Sequence, residues 1–304
     1  IYKKKGKAEY MKRLAKISLI ISGILIAVGI IFIGCGYFAG ADVRTSYYNG
    51  TFHMESDGQK QQNAVSDVDI KDINIEVDSA EIEFARSESD RFEVETQGFN
   101  YNNQPRIDIT GDKLKVTGKS NGSIIAFFSF SDILKWITGE SKDTIIVKIP
   151  DNSELEKINV EASNGRIDFN SVCTTDILKC KTSNGKIQID GQICVNESTD
   201  IRSSNGKIDC NGIFKKNFAV NTDNGKIYVN ADIEGDIDCD TDNGKIELEL
   251  FNSEDDYSIE SHVSNGSVYI NGDKKSGGYY TTNGGKYKLK ATTSNGRVSL
   301  DFMK

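Results

Sequence analysis

The sequence predicts an all-β domain coiled from repeats, a β-solenoid, set behind one membrane-spanning helix. Three observations predict it. An Asn-Gly pair recurs about every 20 residues through the C-terminal half, the residues on either side of each pair alternate between apolar and polar, and an uncharged stretch of 23 residues follows a basic N-terminus. The rest of the composition agrees. Gly numbers 28 and Pro only 2, and the residues between glycines are rich in Ile, Val, Thr, Phe and Tyr, which favour strands.

The first element is the basic tail, residues 1–16, where Lys3, Lys4, Lys5, Lys7, Lys12, Arg13 and Lys16 face the single acid Glu9. Residues 17–39, ISLIISGILIAVGIIFIGCGYFA, carry no charge. As a helix rising about 1.5 Å per residue they are long enough to cross a hydrocarbon layer roughly 30 Å thick. The positive-inside rule then keeps 1–16 in the cytoplasm and puts everything after Gly40 outside, as expected of a single-pass cell-membrane protein. Two other readings lead to the same side: a signal peptide cleaved at Ala39-Gly40-Ala41, and a lipid anchor on Cys35 within Phe32-Ile33-Gly34-Cys35. Residues 40–66, including SDGQKQQN, are polar and aperiodic and read as a linker.

The ectodomain, 67–304, begins with strand-like runs such as IKDINIEVDS, RFEVET, RIDIT, KLKVTG and TIIVKIP, read as early rungs without the Asn-Gly signature. The signature itself occurs at Asn164-Gly165, Asn184-Gly185, Asn205-Gly206, Asn224-Gly225, Asn243-Gly244, Asn265-Gly266 and Asn295-Gly296, with a degenerate copy at Asn283. Steps of 20, 21, 19, 19 and 22 link the first six. Before the turn Val160, Cys180, Ile201, Val220 and Cys239 share a register, and after it Ile167, Ile187, Ile208, Ile227 and Ile246 share another. Each arm thus has a buried face of period two. A constant step with columns of like residues points to rungs stacked on one another. A meander of hairpins is the competing reading, since Asn-Gly is the strongest short hairpin signal. On the solenoid reading Asn-Gly supplies positive backbone dihedrals at a sharp corner, the small Ala162, Thr182, Ser203, Thr222 and Thr241 fit inside it, and the asparagines stack their amides. One insert, IIAFFSFSDILKWITGES at 124–141, has helical spacing and reads as a cap on the stack or an apolar docking patch.

The chemistry-bearing residues form no known catalytic set. The two histidines, His53 and His262, lack triad context, and no phosphate loop, HExxH or paired CxxC is present, so no cofactor, metal ligand set or catalytic residue is assigned. Asp236, Asp238, Asp240 and Asp242 share an outward face, where either a divalent cation or pairing with Lys226 and Lys245 would balance them. Cys180, Cys210 and Cys239 lie in inward columns and read as buried thiols. Beyond residue 16 the chain has 30 bases and 44 acids, a net charge of −14, which argues against nucleic acid as a partner.

The passage TIIVKIPDNSELEKINVEASNGRIDF (144–169) and the successive SNGK and DNGK units resemble the bacterial "putative adhesin" family, a domain of unknown function, over roughly 67–304. The resemblance implies a right-handed β-helix-like domain displayed at the cell envelope, often behind a single helix, and implies no established activity. The expectation is a non-enzymatic envelope protein, an adhesin or envelope-stress accessory, whose repetitive surface binds another envelope protein or surface. The alternative is a carbohydrate-binding or carbohydrate-active protein on a β-helix, drawing on Asp168, Gln188, Asp209, Tyr228 and Glu247 of the outward column.

Overall fold

The computed structural model describes residue 16, ten positions between 18 and 29, the strands at 43–48 and 51–56, and residues 62–99, 104–118 and 143–303. The chain divides into two compact units, one of residues 1–58 with 122–140 and one of 59–121 with 141–304.

In the first unit the described positions from Lys16 to Gly29 are helical, and Leu19, Ile24, Leu25 and Ile26 are exposed. Among the described residues no helix is long and apolar enough to cross a membrane. Strands β1 (Val43–Tyr48) and β2 (Thr51–Ser56) pair antiparallel, with Tyr48 opposite Thr51. The linker expected at 40–66 therefore contains a hairpin. Its signal was the Asn49-Gly50 dipeptide between two strand-forming runs, the shortest hairpin connection. The insert at 124–141 lies outside the described residues.

The second unit is built from strands β3 (Gln62–Ser66), β4 (Asp72–Ser79), β5 (Glu81–Arg86), β6 (Phe92–Gln97), β7 (Arg106–Thr110), β8 (Lys113–Gly118), β9 (Thr144–Ile149), β10 (Ser153–Asn164), β11 (Ile167–Asn170), β12 (Cys173–Asn184), β13 (Ile187–Ile189), β14 (Ile193–Asn205), β15 (Ile208–Asn224), β16 (Ile227–Leu250), β17 (Tyr257–Ile270), β18 (Asp273–Lys274), β19 (Tyr279–Thr281) and β20 (Tyr287–Phe302). β10, β12, β14, β15 and β16 pair in parallel one after another, and β11, β13 and β15 do the same on the other arm. Parallel pairing of successive repeats needs a full circuit of chain between partners, which a hairpin meander cannot supply. Inside, Val160, Cys180, Ile201, Val220 and Cys239 pack in one column and Ile167, Ile187, Ile208, Ile227 and Ile246 in another, all buried. Phe84 stacks on Phe169 with ring centroids 4.8 Å apart, tying β5 to β11.

At both ends the stacking order departs from chain order. β4 and β5 pair in register with β10 and β11, so this early rung is as regular as the later ones, with Ser79-Ala80 at its corner. β8 and β9 then lie on the far side of β4 and β5, and antiparallel β7 and β6 cover them, with β3 on β6. β3 begins at Gln62, so the last residues of the expected linker also belong to the sheet. At the other end β20 is inserted between β16 and β17, pairing in parallel with each. The asparagines therefore stack in the order 243, 295, 265. The copy around Asn283 is not a rung: β19 runs antiparallel to β17, and β18 does so as well, joined through Asn271-Gly272 with φ of 51° and 81°.

Candidate functional site

The corner of each rung is the most repetitive surface of the molecule. Asn184 Nδ2 donates to Asn164 Oδ1 at 2.9 Å, Asn205 to Asn184 at 3.0 Å, Asn224 to Asn205 at 3.0 Å and Asn243 to Asn224 at 3.0 Å. Asn295 then donates to Asn243 and Asn265 to Asn295, each at 2.9 Å, so the amides form one continuous ladder through the inserted strand.

The glycines are present for a different reason from the one the sequence suggests. Gly165, Gly185, Gly206, Gly225 and Gly244 are not in the left-handed region. A Cβ at Gly185 would sit 1.9 Å from the Gly165 carbonyl oxygen, and one at Gly206 would sit 1.9 Å from that of Gly185. A Cβ at Gly266 would sit 1.8 Å from the Gly296 carbonyl oxygen, and one at Gly296 would sit 1.6 Å from that of Gly244. Close approach of backbones, not positive φ, fixes glycine in this column. The small residue before the turn also does more than fit. Thr182 Oγ1 donates to the Gly165 carbonyl at 3.2 Å, Ser203 to Gly185 and Thr222 to Gly206 at 3.3 Å, and Thr241 to Gly225 at 3.5 Å.

Immediately after the corner runs a ribbon of paired charges. Arg166 reaches Asp168 at 2.6 Å and Gln188 at 3.0 Å, Lys186 reaches Gln188 at 2.6 Å and Asp209 at 3.0 Å, Lys207 reaches Asp209 at 2.6 Å, and Lys226 pairs with Glu247. The next rung adds a cluster the sequence reading missed, in which Tyr228 Oη and Asn230 Nδ2 both donate to Glu249. Gln188, Asp190, Lys207, Asp209, Tyr228 and Asn230 line a shallow groove of about 290 Å³. Partial burial acts to raise the Asp209 carboxyl, but hydrogen bonds and charge from Lys207 and Lys186 outweigh it and hold the group below the ordinary carboxylate range. A depressed folded pKa contributes stability above the unfolded value that is lost as pH falls through the folded one. Asp209→Asn is therefore expected to cost less than about 1 kcal/mol at neutral pH and nothing in strong acid, which urea unfolding at several pH values checks.

The acidic row of β16 finds partners other than those expected. Asp236 accepts from the Lys288 backbone N–H at 2.9 Å, Asp238 lies 3.9 Å from Lys290 Nζ, and Asp240 accepts from Thr292, all on β20. Lys226 is committed to Glu247 instead. Among the described residues no group of three His, Cys, Asp or Glu is placed to hold a metal. His262 lies in β17 with its ring edge-on to Tyr279, and the side chain of His53 lies outside the described residues.

Cys173, Cys180, Cys194, Cys210 and Cys239 are free thiols. Burial pushes Cys173 and Cys180 up to about 12 and raises Cys210 and Cys239 as well. Of these five only Cys194 is partly exposed. Thiol reagent at pH 8 is expected to label Cys194 of the native repeat domain first and Cys180, Cys210 and Cys239 only on unfolding, read by mass spectrometry of tryptic peptides.

No curated protein matches the chain. Among solved structures, a putative cell adhesion protein from Clostridium sporogenes aligns at 10% identity and TM-score 0.38, over 81% of this chain and 100% of its own. A putative adhesin from Bacteroides fragilis aligns at 11% identity and TM-score 0.24, over 81% and 98%. A putative lipid binding protein from Parabacteroides distasonis aligns at 12% identity and TM-score 0.23, over 80% and 97%. The Toastrack DUF4097 family model matches residues 70–230 and 178–301, most of the stacked sheet from β4 to β20, and the chain belongs to that family.

Proposed function

We propose that this chain is a non-enzymatic, membrane-anchored protein of the cell envelope, whose β-solenoid presents the charged ribbon to another envelope protein or surface. The observation that carries the reading is the pairing along the ribbon. Each of Asp168, Asp209 and Glu247 is held against a lysine or arginine, and Asp209 is kept ionised. Asp209 is thus a fixed charge, whereas a glycosidase needs a carboxyl with a raised pKa to protonate a leaving group. Anchoring through 17–39 is supported by the apolar side chains exposed on the described part of that helix, Leu19 at 76% and Leu25 at 66%, which suit lipid rather than water.

A carbohydrate ligand is the second reading, favoured by the groove around Tyr228, since a sugar would need the face of that ring. Lys226 stands 5.1 Å and Lys207 6.0 Å from its centroid, and its hydroxyl is engaged by Glu249, so stacking would have to displace them. The test uses the full chain in intact bacterial cells with a photo-cross-linking residue in place of Gln188 or of Lys179 on the other arm. A discrete protein adduct from position 188 and none from 179 is expected. Absence of any adduct at 188, or protease access to 67–304 only after lysis, would sink the proposal, and a glycan adduct would favour the second reading.

A further inference from the structure

We propose that Asn265 is a deamidation site, the corner of the ladder at which the fold leaves Asn-Gly chemistry unguarded. The reaction needs only the dipeptide and water, and it is one reason asparagine counts as a heat-labile residue. A base takes the proton of the glycine N–H, the nitrogen attacks the asparagine Cγ, and the Cγ–Nδ2 bond breaks as ammonia leaves. Water then opens the cyclic imide at either carbonyl, giving aspartate or isoaspartate. The net change consumes water, releases ammonia and involves no oxidant or reductant.

Internal corners withhold both reacting groups. The glycine N–H is spent on the asparagine carbonyl of the next rung, from Gly165 to Asn184 and Gly185 to Asn205 at 3.2 Å, and from Gly206 to Asn224 and Gly225 to Asn243 at 3.1 Å. The amides of Asn184, Asn205, Asn224 and Asn243 are held at both ends, each giving its Nδ2 to one neighbour and accepting at Oδ1 from the other. β17 is the last rung, so Gly266 has no next asparagine carbonyl to meet. The cap strands pair with β17 only at Glu260–His262 and at Tyr269 and Ile270, and Gly278 lies against the Val263 carbonyl, not against Gly266. Gly266 is exposed where the six other ladder glycines are half-buried, and it borders a cavity of about 390 Å³ with room for water. Asn265 uses its Nδ2 on Asn295, and among the described residues nothing donates to its Oδ1, which is left to water as charge develops there. Asn-Gly pairs in the cap are guarded in other ways. Asn271 gives its Nδ2 to Glu254 and accepts at Oδ1 from the Phe302 N–H, each at 2.9 Å, and Gly284 gives its N–H to Ser258 Oγ at 3.2 Å. An aspartate at 265 sets a carboxylate against Asn295 Oδ1, two acceptors where an amide bond stood. Isoaspartate adds a backbone carbon and breaks the register of Gly266–Ile270 on Gly296–Leu300. The last rung therefore loosens irreversibly as the protein ages, whatever the charged ribbon binds.

The test holds the full chain in detergent micelles at mildly alkaline pH in water labelled with heavy oxygen, with and without denaturing urea. Digestion and fragment-ion mass spectrometry then read label uptake at each asparagine against time. In the native chain Asn265 is expected to take up label at least about tenfold faster than Asn205 or Asn224, because those corners must first give up their rung hydrogen bonds. In urea the three rates should converge, since each asparagine is followed by glycine and only the fold distinguishes them. Equal rates in the native chain, or an intact Asn265, overturn the proposal. A lead for Asn265 that persists undiminished in urea overturns it too, since neighbouring residues and not the end of the ladder would then set the rate.

Discussion

Replacing Gly206 with alanine is expected to destabilise the repeat domain by about 3 kcal/mol or more, the upper end of what overpacking costs. The added methyl would lie 1.9 Å from the Gly185 carbonyl oxygen and 2.7 Å from its carbon. Those are backbone atoms that cannot rotate away, so the two rungs must part. Parting them stretches the Asn205–Asn184 amide bond and the Ser203 hydroxyl bond in the same corner. Against a domain stability of roughly 5–15 kcal/mol such a loss is large. Gly272 is the control. It has φ of 81° and nothing within 4 Å of an added Cβ, so alanine there costs only the left-handed strain of about 1–2 kcal/mol. Urea unfolding of both variants, with unchanged slopes, separates the two accounts. If Gly206→Ala costs no more than Gly272→Ala, close approach is not why this column is glycine.

That contrast also marks how far the sequence could be read. Asn-Gly has two uses in this chain, and the dipeptide alone does not distinguish them. At Asn271-Gly272 it closes an antiparallel hairpin with both φ positive, whereas at Asn205-Gly206 it passes a corner without left-handed backbone. The distinguishing signal was present as the period and as the hydroxyl residue two places before each ladder asparagine except Asn164 and Asn265, but it was read as a matter of volume. The buried columns at Val160 and Ile167 were legible because apolar alternation and a constant step determine them. Rung order at the ends was not. β20 and β17 carry the same Asn-Gly signature, and any rung with that signature fits any neighbour, so local pattern cannot say which lies next to β16. The backbone hydrogen bond to Asp236 and the ion pair of Asp238 follow from that order, which is why their partners on β20 were missed. The ribbon was visible as alternating Lys and Asp or Glu positions, but the reach of each lysine, to its own rung or the next, is a matter of side-chain geometry.

Ending the chain after Lys286 is expected to increase self-association of the repeat domain, because among the described residues β20 is the only strand joining β17 to the stack. It pairs with β16 from Ile237 to Leu250 on one side and with β17 from Tyr257 to Ile270 on the other. Its Leu289, Val298 and Leu300 are buried, each contributing about 1.5–3 kcal/mol, and Lys290 faces Asp238. Without it both neighbours expose a long, unpaired edge of the kind that recruits other chains. A rival outcome is conceivable from the ladder itself, since β17 could slide one rung and set Asn265 directly on Asn243. The connection between β16 and β17 opposes that. Asn252 Oδ1 accepts from the Ile233 N–H at 2.9 Å, its Nδ2 donates to Asp232 at 2.9 Å, and the Tyr257 hydroxyl donates to the Ile233 carbonyl, so the start of β17 is fixed where it stands. Sliding by one strand spacing of about 4.8 Å would have to break these bonds of the connection before β17 could form a new parallel ladder on β16, so the slide is opposed at its first step. Light scattering of the truncated chain should therefore show oligomers, and hydrogen exchange should show β16 amides from Ile237 to Leu250 losing protection. A monomer with β16 still protected would mean that β17 had taken the vacant place, and that the rungs are interchangeable in space as well as in sequence.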